Sequence, residues 1–489
     1  MTLKLNLEDS HFSDPLYVSE ESKKKGVNHE WVYNSTIASL VHSAIDSLQN
    51  QFETGEIKIL PLRHSVTAND LNESPVWCRT KDAERKLRSG QEKITFYTSH
   101  YIGNCTINEV SIAIQPRFGD RLFNYFLGEA CNIYLPKGNA NYAEGNVGNA
   151  YWLIGLLWKA MLERALTSGQ IPKEYKTETK NIKTFKGRLH IQKHIKANLV
   201  NQSRFFCTYR KLTMDNIINQ TIRYAFSILK EKGLGSVLSD LASYDNKLAS
   251  FGVTCPEIDS RHIDRIKYTK MNFVYKPVME FSKAIISRHL AESLTNSQKM
   301  AETAFFVDMA ELWEMFLLRV LQKKLDDDYN VYSPNLSAGA FLLEDENRAI
   351  RPDIIIEKDN RAVMIIDAKY KRYKTLGKTS KDPYAVSRED LYQMTTYLYH
   401  YGKDNQPIYG LFVSPANCDK GENIQNMRQE NSFVNMEIKK LEHNPLHKIG
   451  LVNVEIERAS DQAQLEQLEA SFAGLINETL KLLQNVMPS

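Results

Sequence analysis

Residues 351–369 read RPDIIIEKDNRAVMIIDAK, and this stretch decides the fold of the C-terminal part of the chain. Its branched apolar residues form two runs on either side of a polar turn at 358–360. The pattern predicts one strand at 351–357 and a second at 362–369. A carboxylate interrupts each strand near one end, so the same stretch predicts a candidate site as well as a fold.

The polar residues of these strands are Asp353, Asp367 and Lys369. Because side chains alternate across a strand, Asp367 and Lys369 share one face with Val363 and Ile365. Hydrolysis of a phosphodiester requires an activated water and stabilisation of negative charge, which carboxylate-bound divalent cations and a nearby lysine supply. The alternative interpretation is structural, with Asp353 capping a turn and the other two residues forming a surface ion pair.

Two further features extend this candidate site. Glu314 is the acid in the apolar run at 312–318, and a buried carboxylate needs a partner or a metal, although a position at the helix flank in solvent is equally compatible. Gln393 and Tyr397 have i, i+4 spacing on the helix that follows the second strand. Both can therefore face either the phosphate backbone or the lysine.

The elements around these strands predict an α/β domain with a mixed sheet. We expect helices at 304–325 and 387–400, and further strands near Val331 and at 408–413.

The N-terminal half predicts an α+β portion, with alternating apolar residues that indicate strands at 93–116. The stretch at 256–282 is interpreted as a connection, and the main domain boundary is placed between it and residue 304. Helices are expected at 32–51, 120–132, 150–166 and 215–232.

Two segments are rich in lysine and arginine. In the segment at 173–196, eight cations face two acids, so it can contact phosphates or an acidic partner, or it can be a solvated face. In the loop after the second strand we favour contact with the DNA backbone over a solvated loop. Its cations are Lys371, Arg372, Lys374, Lys378 and Lys381.

Composition sets the broad class of protein. The chain has 489 residues, of which 42% are apolar and 25% charged, and its net charge is +3, so two or three globular domains are expected. It has no apolar run of about 18 residues and no apolar signal segment at its N-terminus, which predicts no membrane association. Its six cysteines are widely scattered, as in a reduced cytoplasmic protein.

Two short motifs are not expected to have the function that they suggest. Gly377-Lys378-Thr379 resembles the end of a phosphate-binding loop, but Arg372 stands where the loop requires its first glycine. The chain is therefore not expected to hydrolyse a nucleotide itself. His190 and His194 have the spacing of zinc ligands on a helix, but no third ligand is evident.

The motifs Arg351-Pro352-Asp353 and Ile366-Asp367-Ala368-Lys369 resemble those of the PD-(D/E)xK nuclease superfamily, and the segment Gln393–Tyr397 is similar to the QxxxY element of its RecB-like branch. The resemblance implies a restriction-endonuclease-like mixed sheet flanked by helices. It also implies that Asp353 and Asp367 bind magnesium and that Lys369 assists catalysis, with Glu314 as a further metal ligand.

A wider resemblance covers about residues 95–415. The segments at 186–189, 206–219 and 307–314 look like those of McrC, the nuclease subunit of McrBC-type restriction systems, to which LlaJI-like systems are related. The resemblance implies that the N-terminal portion docks on a hexamer of the AAA+ GTPase McrB and stimulates its nucleotide hydrolysis. It also implies that translocation triggers DNA cutting.

The combined prediction divides the chain into four parts. These are an N-terminal extension at 1–90, a McrC-like portion at 91–300 that docks on an AAA+ partner, a PD-(D/E)xK nuclease domain at 301–420, and a C-terminal helical and strand extension at 421–489.

The expected function is that of a DNA endonuclease subunit in a modification-dependent or sequence-specific restriction complex of anti-phage defence. Its expected cofactor is Mg²⁺, with Mn²⁺ as a substitute, and its partners are double-stranded DNA and an McrB-like AAA+ GTPase hexamer. Two alternatives stay open: a non-cleaving activator that clamps DNA for the ring, and a stand-alone RecB-like nuclease for DNA processing.

Overall fold

The computed structural model of the chain describes residues 3–9, 12–13, 16–17, 32–54, 58–60, 62, 74–80, 91–107, 110–131, 150–200, 203–293, 305–334, 340–343, 346–371, 373–377, 385–402, 406–416 and 433–484. These residues form two compact units. The first unit combines Met1–Gly148 with Ala304–Ser489, and the second is Asn149–Thr303. Across the described residues, no helix has the length and apolar character needed to cross a membrane.

Among the described residues, short strands and two helices make up the beginning of the first unit. The alternation expected at 93–116 is confirmed, since every second residue of the last of these strands is buried. The strands are β1 (Leu3–Glu8), β2 (Phe12–Ser13), β3 (Leu16–Tyr17), β4 (Val32–Asn34), β5 (Lys58–Leu60), β6 (Val76–Thr80), β7 (Gln91–Thr98), β8 (Tyr101–Ile107) and β9 (Val110–Gln115), and the helices are α1 (Ser35–Glu53) and α2 (Gly119–Cys131).

The second unit is mainly helical. Trp158 and Ser282 join its two long helices through a hydrogen bond of 2.8 Å between the indole N–H and the hydroxyl. Its elements are α3 (Ala150–Ser168), β10 (Glu174–Ile182), β11 (Arg188–Leu189), α4 (Ile191–Asn198), β12 (Phe205–Thr213), α5 (Ile217–Leu229), α6 (Ala242–Ser250), α7 (Ser260–Asp264) and α8 (Lys276–Ser293), with a π-helical turn at Lys230–Leu234 and 3-10 turns at Ser239–Leu241 and Phe273–Tyr275.

The connection expected at 256–282 is only partly correct, because it contains α7 and the start of α8. Pro277 is the second residue of α8, a position in the first turn where the missing N–H of proline has no intrahelical partner to lose. The proline therefore marks the start of a helix, and not a linker.

The chain returns to the first unit through β13 (Phe305–Asp308), which precedes α9 (Met309–Lys324). The helix expected to begin at 304 was therefore wrong at its start: Phe305–Asp308 pairs with β8 and β5. Asp308 then caps the helix, because its side chain accepts hydrogen bonds from the backbone N–H groups of Ala310 and Glu311.

A mixed sheet forms the C-terminal part of the first unit, as predicted for an α/β domain. Among the described residues its strand order is β14-β17-β18-β19-β21-β20, with β18, β19 and β21 parallel. The elements are β14 (Asn330–Tyr332), β15 (Ala340–Leu343), β16 (Glu346–Ile350), β17 (Ile354–Lys358), β18 (Arg361–Ala368), α10 (Arg388–Tyr401), β19 (Tyr409–Ala416), β20 (Val434–Lys440), β21 (Lys448–Glu455) and α11 (Gln462–Gln484), with a 3-10 turn at Ile456–Arg458.

Helix α10 is the crossover between the parallel strands β18 and β19 and covers one face of the sheet. Its Met394 and Leu398 are buried together with Ile365 and Phe412 of the strands. The expected turn at 358–360 joins β17 to β18, and Asp359 and Asn360 have the positive φ values, 53° and 58°, that two-residue hairpin turns require.

The two units divide the chain differently from the four predicted parts, although the change from the second unit to the first after Thr303 lies close to the expected boundary at 300. Strands β1 and β5, which fall within the predicted extension at 1–90, pair with β9 and β13. Strand β21, within the predicted extension at 421–489, pairs with β19. These backbone hydrogen bonds join segments that are distant in sequence.

Candidate active site

Asp353 lies immediately before β17, where pairing with β18 fixes its position. Ile354 is opposite Ile366 in this antiparallel pair, so Asp353 faces the end of β18. Its Oδ2 accepts a hydrogen bond of 2.7 Å from the backbone N–H of Ala368. The two strands thus bring the motifs at 351–353 and 366–369 together.

Asp367 and Lys369 lie at the end of β18, on the side of the sheet that α10 covers. Lys369 Nζ is 2.9 Å from Asp367 Oδ2 and 3.1 Å from Asp390 Oδ1, so the ammonium group lies between two buried carboxylates. The backbone N–H of Lys369 donates to the carbonyl of Val413 on β19 at 3.0 Å. The lysine is therefore held at both its backbone and its side chain.

These charges determine the protonation states of Lys369 and Asp390. Burial disfavours the charge on Lys369, but Asp367 and Asp390 outweigh burial and raise its pKa above the ordinary value. Burial also opposes the charge on Asp390, yet Lys369 and the hydrogen bond from Tyr373 lower its pKa to about 2. Lys369 is thus an ammonium group that can donate hydrogen bonds and balance negative charge.

Asp353 lies close to two other carboxylates, those of Glu314 and Asp367. Burial raises the pKa of Asp353 well above its ordinary value, and the carboxylates of Glu314 and Asp367 raise it further, against the lowering effect of Lys369. Glu314 of α9 is half-buried. The buried acid of this helix is instead Glu311, whose carboxylate accepts the backbone N–H of Leu62 at 3.0 Å.

Gln393 and Tyr397 of α10 connect the lysine to the first motif. Gln393 Oε1 accepts a hydrogen bond of 3.1 Å from Lys369 Nζ, and Gln393 Nε2 donates to Tyr397 Oη at 2.7 Å. Tyr397 Oη donates in turn to the backbone carbonyl of Arg351 at 3.1 Å. Gln393 therefore contacts the lysine directly and Tyr397 reaches it through Gln393, while contact of either residue with the phosphate backbone stays a prediction.

Asp390 is a functional candidate that the sequence reasoning missed. Its carboxylate also accepts hydrogen bonds from the hydroxyls of Tyr373 and Ser387, and it lies 3.3 Å from Lys371 Nζ. The available signal was Ser387-x-x-Asp390, which has the form of a helix cap, and Ser387 does cap α10. That signal predicts a solvent-exposed capping acid, whereas Asp390 is buried beside the lysine.

Asp353 and Asp367 are the residues that can hold a divalent cation. Within the part of the chain that the structure describes, no three His, Cys, Asp or Glu side chains form a metal-binding cluster. Mg²⁺ requires no such cluster, because it keeps several water ligands and binds through one or two carboxylates. Burial, Glu314 and Asp367 all disfavour the negative charge of Asp353 and raise its pKa, so a cation bound by Asp353 and Asp367 would relieve that cost, and Glu314 can add a ligand or hold a bound water.

The basic loop next to the site is described only in part. Lys371 contacts Asp390 and is 58% exposed at its side chain, and Lys374 is also exposed. Arg372, Lys378 and Lys381 lie outside the described residues, as does the end of the Gly377-Lys378-Thr379 motif. Contact of this loop with DNA stays a prediction.

The basic segment at 173–196 lies on β10, β11 and α4 of the second unit. Apolar side chains are exposed in and next to the same segment, among them Ile191 (63%) and Leu199 (74%). His194 packs flat against Phe205 and its ring nitrogen contacts Asn198 at 2.9 Å, which gives this histidine a structural task. Exposed apolar and basic groups together are typical of an interaction surface.

Comparison with known proteins places the chain in a family. The family model described as "McrBC 5-methylcytosine restriction system component" matches residues 97–410, well over half of the chain. The type IV methyl-directed restriction enzyme EcoKMcrBC of Escherichia coli K12 is 25% identical over 315 residues, which cover 62% of this chain and 87% of that protein.

Two solved assemblies from Thermococcus gammatolerans are also similar. A half-complex of McrB AAA+ hexamers with bound McrC has a TM-score of 0.47 at 17% identity, covering 96% of this chain and all of that one. The McrBC complex has a TM-score of 0.33 at 18% identity, covering 66% and 88%. These scores are too low to establish a common fold, so the assignment follows from the family model. The chain belongs to the family of McrBC 5-methylcytosine restriction system components, in agreement with its resemblance to McrC.

Proposed function

We propose that this chain is the DNA-cleaving subunit of a restriction complex, with a Mg²⁺-dependent site of the PD-(D/E)xK type in its C-terminal sheet. The observation that carries the proposal is the convergence of Asp353, Asp367 and Lys369 at one end of the β17–β18 pair. The hydrogen bonds from Gln393 and Tyr397 support one site built from both motifs. Family membership supports restriction as the biological setting.

The proposed reaction is hydrolysis of a DNA phosphodiester. Mg²⁺ held by Asp353 and Asp367 would supply Lewis acidity and a more acidic water. Lys369 donates hydrogen bonds from its ammonium group and balances the negative charge that develops around phosphorus. Asp390 and Gln393 restrict the position of Nζ, because it contacts both while paired with Asp367.

We further propose that an AAA+ partner of the McrB type drives the reaction. Arg372 occupies the position at which a phosphate-binding loop needs its first glycine. The nucleotide-hydrolysing motor must therefore come from another chain. The second unit supports a docking role, since its basic segment at 173–196 carries exposed apolar side chains such as Ile191.

The test is plasmid cleavage in Mg²⁺ by the chain together with its AAA+ partner and nucleotide. Asp367→Asn and Lys369→Ala are each expected to lower the cleavage rate by about 100- to 1,000-fold, because the first removes a carboxylate ligand of the proposed Mg²⁺ and the second removes the cation that would balance the charge developing around phosphorus. Lys358→Ala is the matched control, since this lysine lies at the opposite end of β17. It should cleave like the unaltered chain.

The outcomes separate the alternatives. Cleavage that requires the partner and disappears in Asp367→Asn supports the restriction subunit. Efficient cleavage by the chain alone supports a stand-alone nuclease. Stimulated nucleotide hydrolysis without any cleavage supports a non-cleaving clamp. Unchanged cleavage by both active-site variants would contradict the assignment of the site.

A further inference from the structure

Tyr370 follows the candidate catalytic lysine directly and belongs to a different environment. Lys369 faces α10, whereas the next side chain of an extended segment turns to the opposite side. There the ring of Tyr370 meets Arg117 and Phe118, which follow β9. The two sides of the backbone at 369–370 are thus held by different parts of the first unit.

Arg117 makes the contacts that hold Tyr370. Its guanidinium carbon lies 4.3 Å from the centre of the Tyr370 ring and 4.6 Å from that of Phe118. Its Nη2 donates to the backbone carbonyl of Tyr370 at 3.4 Å. Stacking on aromatic faces and donation to a carbonyl are two interactions that a planar guanidinium makes at once.

Asp9 fixes Arg117 in turn. Asp9 Oδ1 accepts the backbone N–H of Arg117 at 2.6 Å, while the backbone N–H of Asp9 donates to the carbonyl of Gln115. Asp9 and Tyr370 are 0% and 3% exposed, and Arg117 is 7% exposed. Burying a guanidinium and a carboxylate costs desolvation energy that apolar residues of similar volume would avoid, so stability alone does not account for this cluster.

We propose that Arg117 is a positioning residue for Lys369, an inference that rests on the proposed nuclease function. The N–H of Lys369 donates to the carbonyl of Val413, and Arg117 holds the carbonyl of the next residue, Tyr370. Without the guanidinium this second anchor is lost and the strand end can shift. A displacement of about 1 Å is enough to lower a catalytic rate about 100-fold.

The proposal makes the N-terminal sheet part of the active-site support. Asp9 directly follows β1, and Arg117 lies just after β9, the strand with which β1 pairs. A change in the pairing of β1 and β9 would therefore displace Arg117, and through its contact with Tyr370 it would alter the position of Lys369.

The experiment compares Arg117→Met with Arg121→Met in cleavage by the full complex. Arg121 is a matched control, because its Nη2 also donates to a backbone carbonyl of the first unit, that of Ala459, which does not belong to the segment at 367–370. Arg117→Met is expected to lower kcat by about 10- to 100-fold with an unchanged KM for DNA, whereas Arg121→Met leaves both unchanged. Equal kcat values for the two variants would overturn the proposal.

A second readout does not depend on cleavage. Hydrogen exchange at the backbone N–H of Lys369 should be faster in Arg117→Met than in Arg121→Met, because the neighbouring anchor is missing. Arg117→Lys keeps the charge near the rings but not the planar fork, so it should recover part of kcat; it also replaces Arg117→Met if that variant does not fold. If Arg117→Met leaves both the exchange rate and kcat unchanged, the positioning role is rejected. If the complex with the unaltered chain does not cleave DNA at all, the proposed function is rejected instead.

Discussion

The pair of Lys369 and Asp390 shows how a single carboxylate can define the state of the candidate site. Asp390 adds a second negative charge beside the lysine, at 3.1 Å, and its pKa of about 2 keeps that charge at any physiological pH. Tyr373 and Ser387 hold the same carboxylate by hydrogen bonds. Asp390 therefore contributes, together with Asp367, to both the position and the charge of the ammonium group.

Asp390→Asn is expected to lower the cleavage rate by about 10- to 100-fold, because the variant keeps the side-chain shape and loses the charge that orients Lys369. Removing one partner of this buried pair should also lower the free energy of unfolding by about 3 kcal/mol. The measurements are kcat in the complex and urea unfolding of the chain.

Asp326→Asn is the control for Asp390→Asn. Asp326 forms an exposed pair with Lys481 at 4.0 Å, and exposed pairs contribute about 0–1 kcal/mol. If Asp390→Asn behaves like Asp326→Asn in both measurements, Asp390 has no positioning role.

At the residue scale, the sequence predicted those candidate site residues that lie close together along the chain. Asp353, Asp367 and Lys369 lie within seventeen residues of chain, and alternation alone places the last two on one face. Asp390 could not be predicted in the same way. Its burial depends on Tyr373 folding back against the start of α10, which is a tertiary contact and leaves no local pattern.

At the level of elements, the contact between β19 and α10 is close because Gly410 has no side chain. A Cβ atom at Gly410 would overlap Met394 Sδ and lie 2.8 Å from Met394 Cγ. Since Gln393 is the neighbour of Met394 on α10, the distance between helix and sheet also determines how the glutamine reaches Lys369.

Gly410→Ala is therefore expected to lower the free energy of unfolding by about 1–3 kcal/mol, as overpacking does, and to reduce cleavage by displacing α10. Gly474→Ala in α11 is the matched control, because a Cβ there meets nothing within 4 Å. It should raise the free energy of unfolding by about 0.5–1 kcal/mol, since alanine is the better helix former. Urea unfolding of both variants tests the opposite signs, and a loss of stability for both would refute this account.

The same scale explains which elements were predicted and which were not. The strands of the β17–β18 pair and helix α10 were predicted because their apolar spacing is regular over several turns or pleats. Strand β13 was missed because Phe305, Phe306 and Val307 continue the apolar run of the helix after them. Their extended conformation results from pairing with β8 and β5, which are distant in sequence.

At the level of the whole chain, Asp9 links stability to pH. Burial outweighs the neighbouring Arg117 and raises the pKa of Asp9 from 3.8 to about 6. The folded chain therefore retains this proton at a pH where the unfolded chain has released it. The stabilisation is complete below pH 3.8 and is lost as the pH rises to about 6, for a total of about 3 kcal/mol.

Asp9→Asn should remove this dependence, because an amide does not titrate and its oxygen can still accept the N–H of Arg117. Between about pH 4 and pH 6 the free energy of unfolding of the variant should therefore rise relative to that of the unaltered chain. Asp46→Asn, on an exposed part of α1, provides the control curve. Parallel curves for Asp9→Asn and the unaltered chain would contradict the raised pKa.

The division of the chain into two units was the feature that the sequence predicted least well. The predicted parts followed the order of the sequence, because composition and motif spacing carry only local information. Strand pairing joins β1 to β9 and β5 to β13, and no pattern within either partner specifies the other. Register is set by packing of both faces at once, which a single sequence does not reveal.

The position of β13 between β8 and β5 has a consequence for synthesis on the ribosome. Both neighbours leave the exit tunnel long before β13, because the whole of Asn149–Thr303 is translated in between. Until Phe305–Asp308 emerges, the nascent chain presents one edge of β8 and one edge of β5 that this strand covers in the sheet formed by the described residues. The sheet that anchors Arg117 can therefore close only after translation has passed residue 308, and nascent chains that stall before that point are the species most exposed to aggregation and to chaperones.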